Sequence, residues 1–159
     1  MGTMSFDDWL ALNQLYADYA SAVDSNQWDL WPDFFTDDCV YRLQPRENHE
    51  RGFPLATLSF TSKGMLKDRV YGIQETLFHD PYYQRHVVGA PVIREAAEGR
   101  WRCEANYAVF RTKLSEVSTV FNVGRYLDTV VRTPAGLKFA SRECIYDSEM
   151  IPNSIIYPI

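Results

Sequence analysis

"RWRCEANYAVFRTKLSEVSTVFNVGRYLDTVVRTPAGLKFASRECIYDS", Arg100 to Ser148, reads as three long strands in succession. Val, Ile, Thr, Phe, Tyr and Trp crowd the runs "RWRCEANYAVFRTK", "STVFNVGRYLDTVVRT" and "LKFASRECIYDS". Side chains that branch at Cβ or carry rings suit a pleated, half-buried surface. Between the runs stand "LSE" and "PAG", short breaks of the residue types that turn a chain. A further run, "RHVVGAPVI" from Arg85, precedes them across "AAEG". The texture predicts an antiparallel meander covering mainly residues 85–148. Gly89 and Gly124 sit inside strand-like runs, where a bulge or bend is expected.

Upstream the period changes from two to that of a helix. Ser5 is an N-cap candidate, with Asp7 and Asp8 in the first turn, where the helix dipole favours negative charge. Met4 and Trp9 are spaced as a hydrophobic staple. Phe6, Trp9, Leu12, Tyr16, Tyr19 and Val23 recur at helical intervals and predict one buried stripe. A second, short helix carries Trp28, Trp31, Phe34 and Phe35. Pro32 is tolerated only in a first turn, which makes Asp29 the expected N-cap. "TDD" is expected to close it and "CVYRL" to form a strand. "QPRENHERGFP" reads as a loop, and "KGMLKDRVYGIQETL" as a third helix weakened by Gly72. The segment "YADYASAVDSNQWDLWPDFFTDDCVYRL", Tyr16 to Leu43, invites an active-site reading because it is rich in rings and aspartates. Its aromatics keep core spacing and its aspartates fall at caps and turns, so it is expected to be scaffold.

Helices at about 5–77, then sheet, then an apolar tail at 149–159 predict one α+β domain over residues 1–159. The expected architecture is a curved mixed or antiparallel sheet wrapped around the N-terminal helices, a cone with an interior pocket. The chain has 159 residues, 46% apolar and 23% charged, enough for a core without metal or disulfides. A net charge of −5 with scattered Lys and Arg argues against a nucleic-acid partner. No apolar run approaches membrane-spanning length, and the start lacks a signal-peptide core. "MGTMSF" departs from the acylation pattern at Phe6. Cys39, Cys103 and Cys144, odd in number and far apart, are expected to be reduced, buried thiols of a cytoplasmic protein.

The order of elements resembles the nuclear-transport-factor-like cone fold. The stretches "DLWPDFFTDDCVYRLQPRENHERG", "MLKDRVYGI", "YYQRHVVGAPVI" and "FNVGRYLDTVVRTPAGLKFASRECIYDS" resemble the small (β) subunits of aromatic-ring-hydroxylating dioxygenases, those serving benzoate-type or salicylate-type acids in particular. The resemblance implies a large (α) partner that carries a Rieske [2Fe–2S] cluster and a mononuclear Fe(II). It implies a trimer of this chain within an α3β3 hexamer, with no catalytic residue, cofactor or metal in the small subunit itself.

Several residues are of the types that carry chemistry. No Cys has a His or Cys two or three positions away, which is the spacing a Rieske site needs. His79, Asp80 and His86 in "HDPYYQRH" are the residue types of a mononuclear iron site, yet local hydrogen bonding is the simpler expectation. Asp24 at a helix end and His86 at a strand start would form an acid–base dyad if both faced the cavity. That is the alternative reading: a stand-alone cone-fold lyase or isomerase. No nucleophile elbow or phosphate loop is present. Arg42, Arg46, Glu47, His49, Glu50 and Arg51 cluster around one loop and suit bidentate subunit contacts. The tail "MIPNSIIYPI" is expected to bury Ile155 and Tyr157, either on its own domain or on a neighbour, with docking in the assembly as the working hypothesis.

Overall fold

Ser5 starts α1 (Phe6–Asp24) as expected: its side chain accepts the Asp8 N–H at 3.1 Å, and Asp7 and Asp8 occupy the first turn. The structure, a computed structural model, describes residues 4–151 and 154–159; the acylation pattern read around Gly2 lies outside them. Leu12, Leu15, Tyr16, Tyr19, Ala22 and Val23 form the buried face of α1. Phe6 and Trp9 do not belong to it. They are 72% and 44% exposed and stack on each other at 5.9 Å, because the core face of α1 begins only at Leu12.

The second helix is a 3-10 helix, Trp28–Phe34, capped by Gln27 rather than Asp29. So short a segment gains little from α winding, and the tighter i→i+3 turn begins two residues earlier. Trp28, Trp31 and Pro32 are buried. β1 (Phe35–Pro45) starts directly after it, so "TDD" lies inside the strand, across a register shift between Phe35 and Val40. The predicted loop then contains a short helix, α2 (Arg46–Glu50). Arg46–Glu50 and Glu47–Arg51 ion pairs, each four residues apart, support a turn that burial does not. β2 (Leu58–Phe60) precedes α3 (Lys63–Tyr71), whose Ser62 cap accepts the Met65 N–H at 3.2 Å. The helix continues as a π-helical turn, Gly72–Thr76.

Five strands complete the sheet: β3 (Tyr82–Val88), β4 (Val92–Ala97), β5 (Arg100–Lys113), β6 (Thr119–Thr133) and β7 (Gly136–Tyr146). Their order is β2-β1-β7-β6-β5-β3, with β4 also on β5. The meander β5–β6–β7 is antiparallel as read, but β1 joins β7 in parallel, so the sheet is mixed. "RHVVGAPVI" is two strands rather than one. β3 pairs with the Tyr107–Lys113 end of β5 and β4 with its Arg100–Glu104 end. The break falls at Gly89-Ala90-Pro91, where Pro91 has no N–H to give a ladder. Gly124 marks a close approach of backbones: a Cβ there would lie 2.0 Å from the Ile145 oxygen on β7.

The inner face of the sheet packs on α1 and α3 around an aromatic cluster. Trp31 meets Phe35 and Tyr41 edge-on at 5.8 and 5.3 Å, and Tyr19 meets Phe139 at 5.7 Å. The Tyr16–Leu43 segment is therefore scaffold, with Tyr16, Tyr19, Trp28, Trp31 and Phe35 all buried. Among the described residues no helix is long and apolar enough to cross a membrane.

Candidate functional site

Packing of α1 on β3 brings together the acid–base pair expected from sequence. Asp24 Oδ1 lies 2.6 Å from His86 Nδ1, and Asp24 Oδ2 accepts the His86 backbone N–H at 2.8 Å. One carboxylate thus anchors the strand and sets the ring, with Nδ1 as the donor and Nε2 turned inward. The His86 side chain is fully buried, and its Nε2 has no hydrogen-bond partner. An acid–base group works only on an atom within hydrogen-bond reach. The cleft beside β3, about 360 Å³, is walled by Asn13, Tyr16, Ala17, Val88 and Pro91 among others, and by neither Asp24 nor His86.

The other ionisable residues of "HDPYYQRH" go elsewhere. His79 Nε2 meets the Tyr157 hydroxyl at 2.9 Å, and Asp80 pairs with Lys113 at 3.1 Å. The trio His79, Asp80 and His86 is therefore not assembled. Among the described residues no three His, Cys, Asp or Glu side chains are grouped to hold a metal.

A second polar cluster, not foreseen from sequence, lies deeper. Arg142 on β7 donates from Nε and Nη2 to the two oxygens of Asp128 on β6, at 3.0 and 2.7 Å. The Tyr16 hydroxyl donates to the same carboxylate. The guanidinium is surrounded by the rings of Tyr126, Phe139, Tyr19 and Tyr16, 3.8 to 4.9 Å from their centroids. Burial pushes the Asp128 carboxyl above its ordinary value, against the pull of Arg142. Burial also opposes the Arg142 charge, but Asp128 and the tyrosines outweigh it and the guanidinium stays protonated. The arrangement locks α1 to two strands and presents no accessible reactive atom.

A Rieske centre takes two thiolates and two imidazoles. The donors here do not fit one. His49, His79 and His86 stand on α2, before β3 and on β3. Desolvation pushes Cys39 up to about 11 and Cys103 and Cys144 to about 12. Such thiols are thiolate in only about one part in a thousand or less at pH 8. Iodoacetamide at pH 8 is expected to leave the native chain unlabelled over the time in which the urea-unfolded chain takes up three labels. Rapid labelling of the native chain would contradict the burial.

The outward charges form ion pairs within the chain. Arg46 pairs with Glu50 and Asp147, both at 3.4 Å, and Arg51 with Glu47 at 3.1 Å. Arg42 donates to the Pro54 carbonyl at 2.9 Å, and His49 is partly exposed on α2. Phe53 and Leu55 lie exposed just beyond the helix. On the convex face Arg125 and Arg94 hold the Glu104 carboxyl below its ordinary value. The tail departs from the docking expectation. Ile155 and Tyr157 are only 5% and 7% exposed, because the inner side of their own cone takes them up and leaves little of either for a partner.

A family model described as a SnoaL-like domain matches residues 4–143. The chain is 32% identical to the anthranilate 1,2-dioxygenase small subunit of Burkholderia cepacia, covering 99% of this chain and 98% of that one. It is 29% identical to subunit beta 1 of the terminal oxygenase component of a Comamonas sp. terephthalate 1,2-dioxygenase, covering 90% and 93%. A solved structure from Novosphingobium aromaticivorans, described as the beta subunit of an aromatic-ring-hydroxylating dioxygenase, superposes with a TM-score of 0.87 at 32% identity, covering 95% and 96%.

Proposed function

Because the chain belongs to the SnoaL-like family, and within it to the small (β) subunits of aromatic-ring-hydroxylating dioxygenases, we propose that it serves its terminal oxygenase as a structural subunit without chemistry of its own. The observation that carries this is the end-to-end match to a dioxygenase small subunit. The interior supports it: the Asp24–His86 pair and the Arg142–Asp128 pair bind element to element, and the side chains of both are almost fully buried. The same match favours the subunit over a stand-alone lyase. In this reading Asp24 and His86 fasten α1 to β3.

The partner is an oxygenase α subunit that holds the Rieske [2Fe–2S] cluster and the mononuclear Fe(II). This chain forms a trimer within an α3β3 hexamer in the cytoplasm, as a single domain. The substrate is an aromatic acid, a class supported by relatives named for anthranilate and terephthalate. Arg42, Arg46, Glu47, His49 and Arg51 are the proposed contact with a neighbouring subunit. There a charged short helix lies beside exposed Phe53 and Leu55, a polar rim next to apolar anchors.

Co-expression with an oxygenase α subunit from the same source, then sizing and an iron assay, tests this. The expected result is one complex containing both chains and iron, with this chain alone colourless and iron-free. Stoichiometric iron on the isolated chain, or two separate peaks, would overturn it. Reversing charge at Arg46 and Arg51 together is expected to weaken the complex by about tenfold or more, through lost electrostatic complementarity.

A further inference from the structure

We propose that residues 154–159 are a tethered ligand of the cone: an extended segment that fills a peptide-binding groove and can leave it without unfolding the sheet. The inference rests on this chain's internal contacts and stands or falls separately from the subunit reading.

The first observation is how the segment's backbone is satisfied. A strand in a sheet pairs its N–H and C=O groups with another strand. Here the partners are side chains. Arg69 on α3 donates to the Ile155 and Ile156 carbonyls at 3.0 and 2.9 Å. Gln84 on β3 donates to the Pro158 carbonyl at 3.2 Å. Tyr19 on α1 and Tyr41 on β1 both donate to the Ile159 oxygen, at 2.8 and 3.1 Å. The Tyr157 and Ile159 N–H groups donate to the hydroxyls of Tyr82 and Tyr41. Four separate elements thus aim polar groups at one extended backbone, and this is how a groove holds a peptide.

The second observation is the fit of the side chains. Ile155, Tyr157, Pro158 and Ile159 are all buried, whereas Ser154 is exposed and Ile156 partly so. Tyr157 stacks on Trp28 at 4.8 Å and packs on Tyr82 at 4.5 Å, while its hydroxyl reaches His79. Main-chain hydrogen bonds with pockets for individual side chains are the pattern of extended-peptide recognition. The third observation is independence. β7 ends at Tyr146, and every strand of the sheet is paired without the segment. The ligand class is an extended apolar peptide with an aromatic residue between two branched aliphatic ones.

The test is complementation in trans. A chain lacking residues 155–159 is titrated with a fluorescein-labelled peptide Ser-Ile-Ile-Tyr-Pro-Ile, read by anisotropy, and its melting temperature is followed. The expected result is a folded chain with a lowered melting temperature that binds the peptide and regains stability. The Tyr157→Ala peptide, or Arg69→Met in the shortened chain, should bind about tenfold more weakly. A shortened chain that melts like the whole one, or that folds and binds no peptide, overturns the proposal. Should the shortened chain not fold, hydrogen exchange on the full chain decides. The Tyr157 and Ile159 amides are expected to exchange about a hundredfold faster than those of β7, and Tyr157→Ala to accelerate the tail alone. Exchange of tail and β7 in step would overturn the groove and make the tail part of one cooperative core.

Discussion

Arg142→Met is expected to destabilise the chain by about 3–5 kcal/mol, read as a fall in the urea midpoint with an unchanged slope. The cause is the partner left behind. Asp128 is buried and takes two charge-assisted bonds from Arg142, its one cationic partner among the described residues, so the variant strands a carboxylate among aromatic rings. Restoring neutrality with Asp128→Leu in the same chain should recover most of the loss, since a buried ion pair can often be replaced by apolar side chains. A double variant no more stable than the single one would refute the explanation. The pH dependence has a definite sign. Asp128 already sits above its ordinary value through burial, and removing Arg142 raises it further. A group raised in the folded state contributes stability below its unfolded pKa, roughly 3.9, and loses it as pH climbs through the folded value. The deficit of Arg142→Met relative to the parent should therefore grow once pH rises above the parent's own raised Asp128 value, towards neutrality. A constant deficit would show that lost packing, not charge, is responsible.

Gly124→Ala should cost about 3 kcal/mol or more, from one added methyl group. Its Cβ would stand 2.0 Å from the Ile145 oxygen, 2.7 Å from the Tyr146 Cα and 2.8 Å from the Ile145 carbonyl carbon. All three are backbone atoms of β7, which cannot swing away as a side-chain tip can. The β6–β7 ladder must part, and it carries both Asp128 and Arg142. Gly89→Ala is the control. A Cβ there meets Asn106 no closer than 3.6 Å, an ordinary contact, and the expected change is within about 0.5 kcal/mol. Equal effects at the two glycines in urea unfolding would sink the argument.

The aromatic and β-branched runs from Arg100 to Ser148 predicted β5, β6 and β7 and their turns, and Ser5 with its acidic first turn predicted α1. These signals are local: alternation and capping act within a few residues. Asp24 and His86 were legible as a pair because residue types suggest chemistry, but whether they met depended on α1 crossing β3. The Arg142–Asp128 pair could not be read. Counting back from the turn that joins Thr133 to Gly136 sets Asp128 opposite Ser141. Only the irregularity between Thr129 and Val130 slips the register by one and places it opposite Arg142.

Sequence alone, then, determined α1 and the strands of the β5–β7 meander, that iron–sulfur ligands are missing at their usual spacing, and that the tail must be buried somewhere. Tertiary structure decided the parallel pairing of β1 with β7, the slipped register, and the tail's place inside its own cone. The division has one physical cause. Backbone preference is set by neighbours along the chain, whereas partners in space, here over a hundred residues apart in several cases, are chosen by the packing of the whole core.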